Sequence, residues 1–584
     1  MNKIFKLSIM SLAVCTTLTG CLDETDESRT YASQDQLDNA PKNFKEMSEA
    51  LTAALTGSYV YAGNASAGYA NDWGYPSIMI QNDIMGQDIV PANLEGTEWF
   101  LPWYKNEVAL GATYAYGQMP WSYYYGWINN CNVLLGVLKG QEPTESQKAG
   151  AGEAYALRAM FYLDLVRMYA PETYAKNPDA PTVPKKTETI TKEQSQHNPR
   201  MTNKEAFEFI LSDLDKAEEY LSGYSRSDVY TPDLSVVYGL KARAYLTMED
   251  WKNAEKYAKL AQKGYAVMTD DQYTSRDNGF AEPTSSWMFA VKFKATDYIV
   301  TNNDGDDSWA AKMVDESASG CGYGANYGQP FYIDAHLYST VPSSDFRKKC
   351  FVNFHADEAL DSIAEANKPG EKATDAEKKA LRAKTDEAID SLFTPYSNYP
   401  SVLYADAAKP KYDGLNIKFR NAGGAAGVNS QYVGWCVAVP LMRVEEMKLI
   451  EAEAVGMQPG RLEEGIRLLT EFAKTRDPKF VYGEHNEAYG NNATSAFQNE
   501  IYWQKRIEFW GEGISYYDAR RLNKGIIRSY PGTNHPELCR WNTEGNPTWM
   551  TRIIPRSETS YNYDCTNNSY TSAPSSDSPE YIFK

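Results

Sequence analysis

Apolar side chains recur at helical spacing through the first half of the chain. Leu157, Met160, Phe161, Leu165, Met168 and Tyr169 form one stripe, and Phe207, Ile210, Leu211, Leu214, Ala217 and Leu221 form the most regular one. Thr202, followed three residues later by Glu205, is a capping box that starts the second of these helices. Weaker stripes predict a helix over 41–60 and another over 128–138, where Ile128, Leu134, Leu135 and Leu138 share one side. Between Thr231 and Ala261 the pattern predicts two helices broken at Glu249-Asp250. From 265 to 440 helical stripes are sparse, and short pieces such as Trp287 to Phe293 and Trp435 to Val439 read as strands. Within that region 372–390, rich in Ala, Lys and Glu, reads as an exposed helical insertion. Helical pattern returns at 441–455, 462–475 and 497–511, and the final ~60 residues are loop-like and aromatic.

Ala242, Ala244, Ala254, Ala258 and Ala261 are small residues that let two short antiparallel helices approach closely. Tetratricopeptide (TPR) units pack this way, with a repeat of ~34 residues. The expected fold is mainly α, with a TPR-like helical array over 41–264 packed against an irregular, loop-rich region with a few short strands. That loop-rich region runs over 265–440 with an insertion near 356–392, and 441–584 carries helices and loops that pack back on the array.

The chain has 584 residues, 42 % hydrophobic and 23 % charged, which excludes a disordered chain and a many-span membrane protein. Its 77 acidic against 58 basic residues give a net charge of -19, which repels phosphate backbones and argues against nucleic-acid binding. With 43 Tyr, 13 Trp and 20 Phe but only 5 His, the composition favours stacking surfaces over metal chemistry.

Lys3 and Lys6 precede an apolar run from Leu7 to Leu18, too short to span a bilayer and laid out as a secretory signal peptide over 1–20. The run ends in Leu18-Thr19-Gly20-Cys21, which looks like a bacterial lipobox, so that Cys21 becomes the lipidated first residue of a linker over 21–40. Asp23, Glu24, Asp26 and Glu27 resemble a surface-export signal of some Gram-negative lipoproteins and read equally well as a solvated linker. Cleavage removes two lysines and no acid, so the mature charge is 56 − 77 = −21. The cysteines at 131, 321, 350, 436, 539 and 565 show no CxxC pair and no zinc spacing. A bridge between Cys539 and Cys565 is left open by the sequence.

Four segments together resemble the SusD/RagB family of surface glycan-binding lipoproteins. They are A-Y-A-L-R-A-M-F-Y-L-D-L at 154–165, R-M-T-N-K-E-A-F-E-F-I-L-S-D-L-D-K-A at 200–217, the Gly239 to Ala261 unit, and Q-K-R-I-E-F-W-G-E-G-I-S-Y-Y-D-A-R-R-L at 504–522. The last departs from the family pattern at Ser515, where a basic residue is frequent. The resemblance implies a non-enzymatic outer-membrane lipoprotein, facing the cell exterior, that binds oligosaccharides or polysaccharides. It also implies a partner, a SusC-like TonB-dependent transporter over whose mouth the protein sits. A peptide receptor of the same fold, a TPR-type interaction scaffold and a surface glycosidase are the alternatives.

Arg506, Glu508, Glu512, Asp518 and Arg521 alternate in sign and suit a buried ion-pair network. Glu508 and Glu512 have the spacing of a glycosidase pair, yet arginines beside them would hold both ionised and leave no proton donor. No G-x-S-x-G, H-E-x-x-H or phosphate-binding loop is present, and Asp304, Asp306 and Asp307 lack EF-hand spacing. No cofactor is implied.

Sugars present apolar C–H faces ringed by hydroxyls, so aromatic loops with Asp or Asn nearby are the candidate binding text. Such text occurs at Asp72, Trp73 and Tyr75, with Asp83 following, at Trp99 and Trp103, and at Trp309, Tyr323, Asn326, Tyr327 and Tyr332. Trp73 and Trp309 join no stripe and are expected to face a ligand rather than the core.

Overall fold

The structure is a computed structural model that describes residues 34–57, 71–92, 94, 100–301, 308–316, 330–403, 413–490, 493–569, 576 and 578–583, with only the backbone of 34–43 and 357. In chain order the elements that matter here begin with α1 (Gln34–Ala53), α2 (Tyr75–Met85), β1 (Ile89–Pro91), α3 (Leu101–Tyr104), α4 (Ala115–Gly136) and α5 (Lys148–Tyr169). After β2 (Pro181–Pro184) and β3 (Arg200–Thr202) come α6 (Asn203–Tyr220), α7 (Leu234–Met248) and α8 (Trp251–Ala261). β4 (Trp287–Lys292), α9 (Trp309–Met313), β5 (Phe331–Ile333), α10 (Ala356–Ala366), α11 (Asp375–Phe393) and β6 (Ala438–Arg443) follow. The chain then returns to helices in α12 (Val444–Gly456), α13 (Leu462–Lys474), α14 (Ala496–Glu508) and α15 (Ser515–Arg521).

The array is built by helix-on-helix packing: α4 on α5, α5 on α6, α7 on α8, α8 on α12 and α12 on α13. The predicted capping box closes α6, with the Glu205 amide donating to Thr202 Oγ1 at 3.2 Å and the Thr202 amide to Glu205 Oε2 at 2.8 Å. The break between α7 and α8 falls where it was read: Glu249 takes a left-handed φ of 58° and Asp250 caps α8 through the Asn253 amide. Gly239 in α7 faces Met442 of β6, and a Cβ there would lie 2.3 Å from the sulfur, so any larger residue would require the Met442 side chain to move. Between α5 and α6, buried Arg158 chelates Asp213 through Nε and Nη2 at 2.8 and 2.9 Å.

Among the described residues three two-stranded antiparallel ribbons tie the rest together: β1 with β5, β2 with β3, and β4 with β6. In the first, Val90 faces Tyr332 and Pro91 faces Phe331, so two segments far apart in sequence share one ribbon. The strand expected over Trp435 to Val439 lies later, at Ala438–Arg443, because Gln431–Gly434 forms a helical turn that leads buried Trp435 into the core. The helix expected over 128–138 starts much earlier, at Ala115. Its buried residues fall on more than one face, which erases the one-sided stripe that periodicity detects, and Pro120 sits inside the helix as its sixth residue. The insertion is helical and exposed as read, with α11 opened by a Thr374–Glu377 capping box.

The alternating charges near 506–521 form a buried network. Glu508 accepts from Arg443 Nη1 at 3.0 Å, Arg476 Nε at 3.0 Å and Arg347 Nη1 at 3.2 Å, while Glu512 accepts from Arg443 Nε at 2.8 Å and Lys418 Nζ at 2.7 Å. Arg506 grips Asp88 just before β1, and Arg521 joins Glu453 of α12 to Asp518. Among the described residues Cys539 and Cys565 are both free and buried, so the bridge left open by the sequence does not form.

Candidate functional site

The structure moves most of the described sequence candidates into the core. Trp73 and Trp309 are wholly buried, Trp73 edge-on to Phe100 at 5.5 Å and Trp309 edge-on to Phe419 at 4.8 Å. The expectation that these two rings face outward is therefore corrected: irregular backbone carries them inward, and burial without a helical stripe leaves no periodic signal. Tyr332 is buried in the β1–β5 ribbon, and Tyr75 donates to Asp164 at 2.6 Å. Asp72 accepts from the Tyr123 hydroxyl at 3.3 Å. Asp83 accepts from the Gly513 amide at 2.8 Å, and burial pushes its carboxyl well above the ordinary range. Trp99, Tyr323, Asn326 and Tyr327 lie outside the described residues, as does Cys21.

Among the described candidates Trp103 lines one small, partly open cleft and Tyr75 another, and the first, with two tryptophans, has the more aromatic walls. Its walls come from α3, the turn after it, the start of α4 and a C-terminal strap. Trp103 and Asn106 form one wall, Tyr116 and Gly117 the next, and Trp549 with Arg552 the third. Trp103 itself is nearly inaccessible, wedged between Phe100 at 5.8 Å and Tyr116 at 5.2 Å, so half-buried Tyr116 presents the more open ring. Asn106 adopts a left-handed φ of 49°, which asparagine tolerates better than most side chains and which reverses the chain after α3. Gly117 lets the turn at Val108–Leu110 lie directly on α4, since a Cβ would sit 2.5 Å from the Leu110 carbonyl oxygen.

The frame beneath the cleft is fixed by charge and hydrogen bonds. Arg528 stacks over Tyr104 at 4.1 Å and donates to the carbonyls of Tyr104 at 2.7 Å and of Ile84 at 3.0 Å, tying α3 to the C-terminal end of α2. The Tyr104 hydroxyl meets His535 Nδ1 at 2.7 Å, and burial holds that imidazole below its ordinary pKa. The strap is held by the Arg552 amide on the Met168 carbonyl at 2.9 Å and the Arg556 amide on the Ala112 carbonyl at 2.7 Å. The Arg552 guanidinium donates to Gln81 Oε1 at 3.2 Å and Asn82 Oδ1 at 2.7 Å, both on α2.

Three donors at the cleft have no partner although they are buried: Trp103 Nε1, Asn106 Nδ2 and Arg552 Nε. The indole N–H groups of Trp73, Trp287, Trp309 and Trp541 are unpaired as well, so it is the conjunction of Asn106 Nδ2 and the charged Arg552 Nε at one cleft that a ligand oxygen would satisfy. Sequence reading missed Asn106, Trp549 and Arg552. Asn106 carried a signal only as the polar residue closing an aromatic loop, and the other two lie in the aromatic C-terminal text with no motif around them. Among the described residues no group of His, Cys, Asp or Glu could hold a metal ion. Glu508 does not offer a catalytic proton: burial opposes its ionisation, but Arg476, Arg443 and Arg347 override this and hold the carboxyl well below its ordinary range.

This architecture, a helical array clasped to a loop-rich half, matches solved SusD-like structures in fold. A SusD-like family model described as starch-binding associating with outer membrane matches residues 35–246. SusD-like protein P38 of Formosa agariphila is 21% identical over 411 residues, covering 70% of this chain and 73% of that protein. A SusD-like carbohydrate binding protein from Bacteroides vulgatus superposes with a TM-score of 0.64 at 21% identity, over 90% of this chain and 97% of that one. Surface glycan-binding protein A from Bacteroides thetaiotaomicron, solved in complex with laminarihexaose, gives 0.60 at 16% identity over 91% and 99%. The resemblance carried by the four sequence segments agrees with these matches: the chain is similar to SusD-like proteins in sequence over 35–246 and in fold over most of its length. Among the described residues no helix is long and apolar enough to cross a membrane.

Proposed function

We propose that the protein is a non-enzymatic, lipid-anchored receptor that binds oligosaccharide in the Trp103–Tyr116–Arg552 cleft and passes it to a SusC-like TonB-dependent transporter in the outer membrane. The observation that carries the binding step is the combination of aromatic walls with three unpaired donors in one open cleft. Aromatic rings meet the C–H faces of a sugar, and N–H donors meet its oxygens. The SusD-like matches support a glycan ligand, and a structural neighbour that holds laminarihexaose points the same way. The lipobox ending at Cys21 supports the anchor, and the family resemblance supports the transporter. The ion-paired state of Glu508 supports the absence of hydrolysis at the Glu508–Glu512 pair.

Affinity electrophoresis of the purified chain against polysaccharides and peptides tests the reading. Retardation by glycans without release of reducing sugar is the expected result. Retardation by peptides alone would replace the sugar ligand with a peptide, and sugar release would make the protein an enzyme.

A further inference from the structure

The cleft carries a charge that nothing in it balances. Arg552 is only 8% exposed, and the groups that orient its guanidinium are the neutral amide oxygens of Gln81 and Asn82. No carboxylate lies within ion-pair reach of it among the described residues, and no Asp or Glu lines the cleft. Four other buried arginines are matched by acids, Arg158 by Asp213, Arg347 by Asp345, Arg443 by Glu512 and Arg521 by Glu453, while Arg528 and Arg520 are held by oxygens of the main chain and of Thr551 and, unlike Arg552, line no part of this cleft. A desolvated guanidinium without a counter-charge is costly and is relieved by an anion brought from outside. In the adjoining turn Lys105 and Glu107 stand 3.6 Å apart and offset each other.

The hydrogen-bonding bias agrees. Trp103 Nε1, Asn106 Nδ2 and Arg552 Nε are all donors, and no unpaired buried side-chain acceptor lines the cleft. A neutral sugar hydroxyl both donates and accepts, whereas a carboxylate or sulfate oxygen only accepts. We infer that the cleft is built for an acidic sugar unit, a uronate or a sulfate ester, whose oxyanion is received by Arg552 and Asn106 while Tyr116 and Trp549 flank the ring. The protein as a whole is strongly negative at -19, so selection of an anion depends on this local, acid-free patch rather than on the field of the molecule.

This inference rests on the glycan-receptor reading, and the experiment separates the two. Titration calorimetry on the full mature chain would compare tetragalacturonate, its carboxyl-reduced neutral counterpart, a sulfated carrageenan tetraose and laminarihexaose. At least tenfold tighter binding of one acidic oligosaccharide than of both neutral ones is expected, and which acid binds distinguishes carboxylate from sulfate. Equal or tighter binding of the neutral sugars would overturn the inference and leave the receptor reading intact. Binding of no sugar, with retardation by peptides, would overturn both. The variants Arg552→Gln and Asn106→Gly, each checked by thermal melt, are expected to remove the preference for acid. Arg552→Lys keeps the charge and is expected to retain part of it. Undiminished acidic-sugar binding by a folded Asn106→Gly or Arg552→Gln protein would place the anion elsewhere and sink the assignment.

Discussion

Phe100 meets Phe331 edge-on with ring centroids 6.4 Å apart, and this contact joins the two aromatic stretches that the sequence keeps far apart. The β1–β5 register brings them together: Pro91 faces Phe331, so the chain leaves β1 and enters β5 at the same end of one ribbon. Trp73 packs on the other side of Phe100, and Trp103 beside it. All four rings are buried, so they belong to the core and not to an exposed platform.

Trp309→Ala should therefore lower folding stability by about 3–5 kcal/mol, the ordinary cost of truncating a buried tryptophan. Denaturant titration measures this. An unchanged midpoint with lost glycan binding would return the ring to the ligand.

Tyr116→Ala is expected to weaken glycan binding tenfold to a hundredfold, about 1–3 kcal/mol, with a small change in melting temperature. Asn106→Gly keeps the left-handed turn while removing the donor, and about 1–2 kcal/mol of affinity should go with it. Calorimetry and melts on the same preparations check both.

Burial raises Glu153 to about 7, against the opposing bonds from Tyr224 and Ser48 and with help from nearby Glu49. A carboxyl that binds its proton more tightly when folded stabilises the native state at low pH. Its contribution is full below the unfolded pKa of 4.5 and is lost as pH rises toward about 7. The loss is on the order of 2–3 kcal/mol. Because Ser48 lies on α1, the effect reports how α1 docks on α5. Chemical denaturation between pH 4.5 and 8 should show wild-type stability falling relative to Glu153→Gln, and parallel curves for the two proteins would refute the assignment.

Glu508→Gln leaves Arg476, Arg443 and Arg347 short of a counter-charge in the interior, and should cost about 3–5 kcal/mol. Reducing-sugar assays on the wild-type protein should stay at background over long incubation. A wild-type activity abolished by Glu508→Gln in a folded variant would recast the network as catalytic.

On the proposed lipobox reading, Cys21→Ala is expected to release the protein from the membrane fraction, because lipid on that residue would supply the anchor. Protease added to intact cells should digest the wild-type protein. Complete protection would put it on the periplasmic side.

The helices were legible wherever one face alone is buried. The α6 stripe with its Thr202–Glu205 box and the Glu249-Asp250 break between α7 and α8 are local features, set by side chains within a few residues of each other. The alternating charges of 506–521 likewise announced a network before its partners were known. Chain pattern could not say that Arg347, Lys418, Arg443 and Arg476 would be those partners, since all four arrive from other segments. It also misjudged Trp73 and Trp309, because a ring buried from irregular backbone leaves no period to read. The cleft belongs wholly to tertiary structure. Asn106, Tyr116 and Arg552 sit on a turn, a helix start and a C-terminal strap, and only the packing of that strap against α2 and α5 turns them toward one another. Short-range periodicity encodes which face of an element is buried, whereas a binding cleft depends on which elements meet, and that is decided by long-range packing.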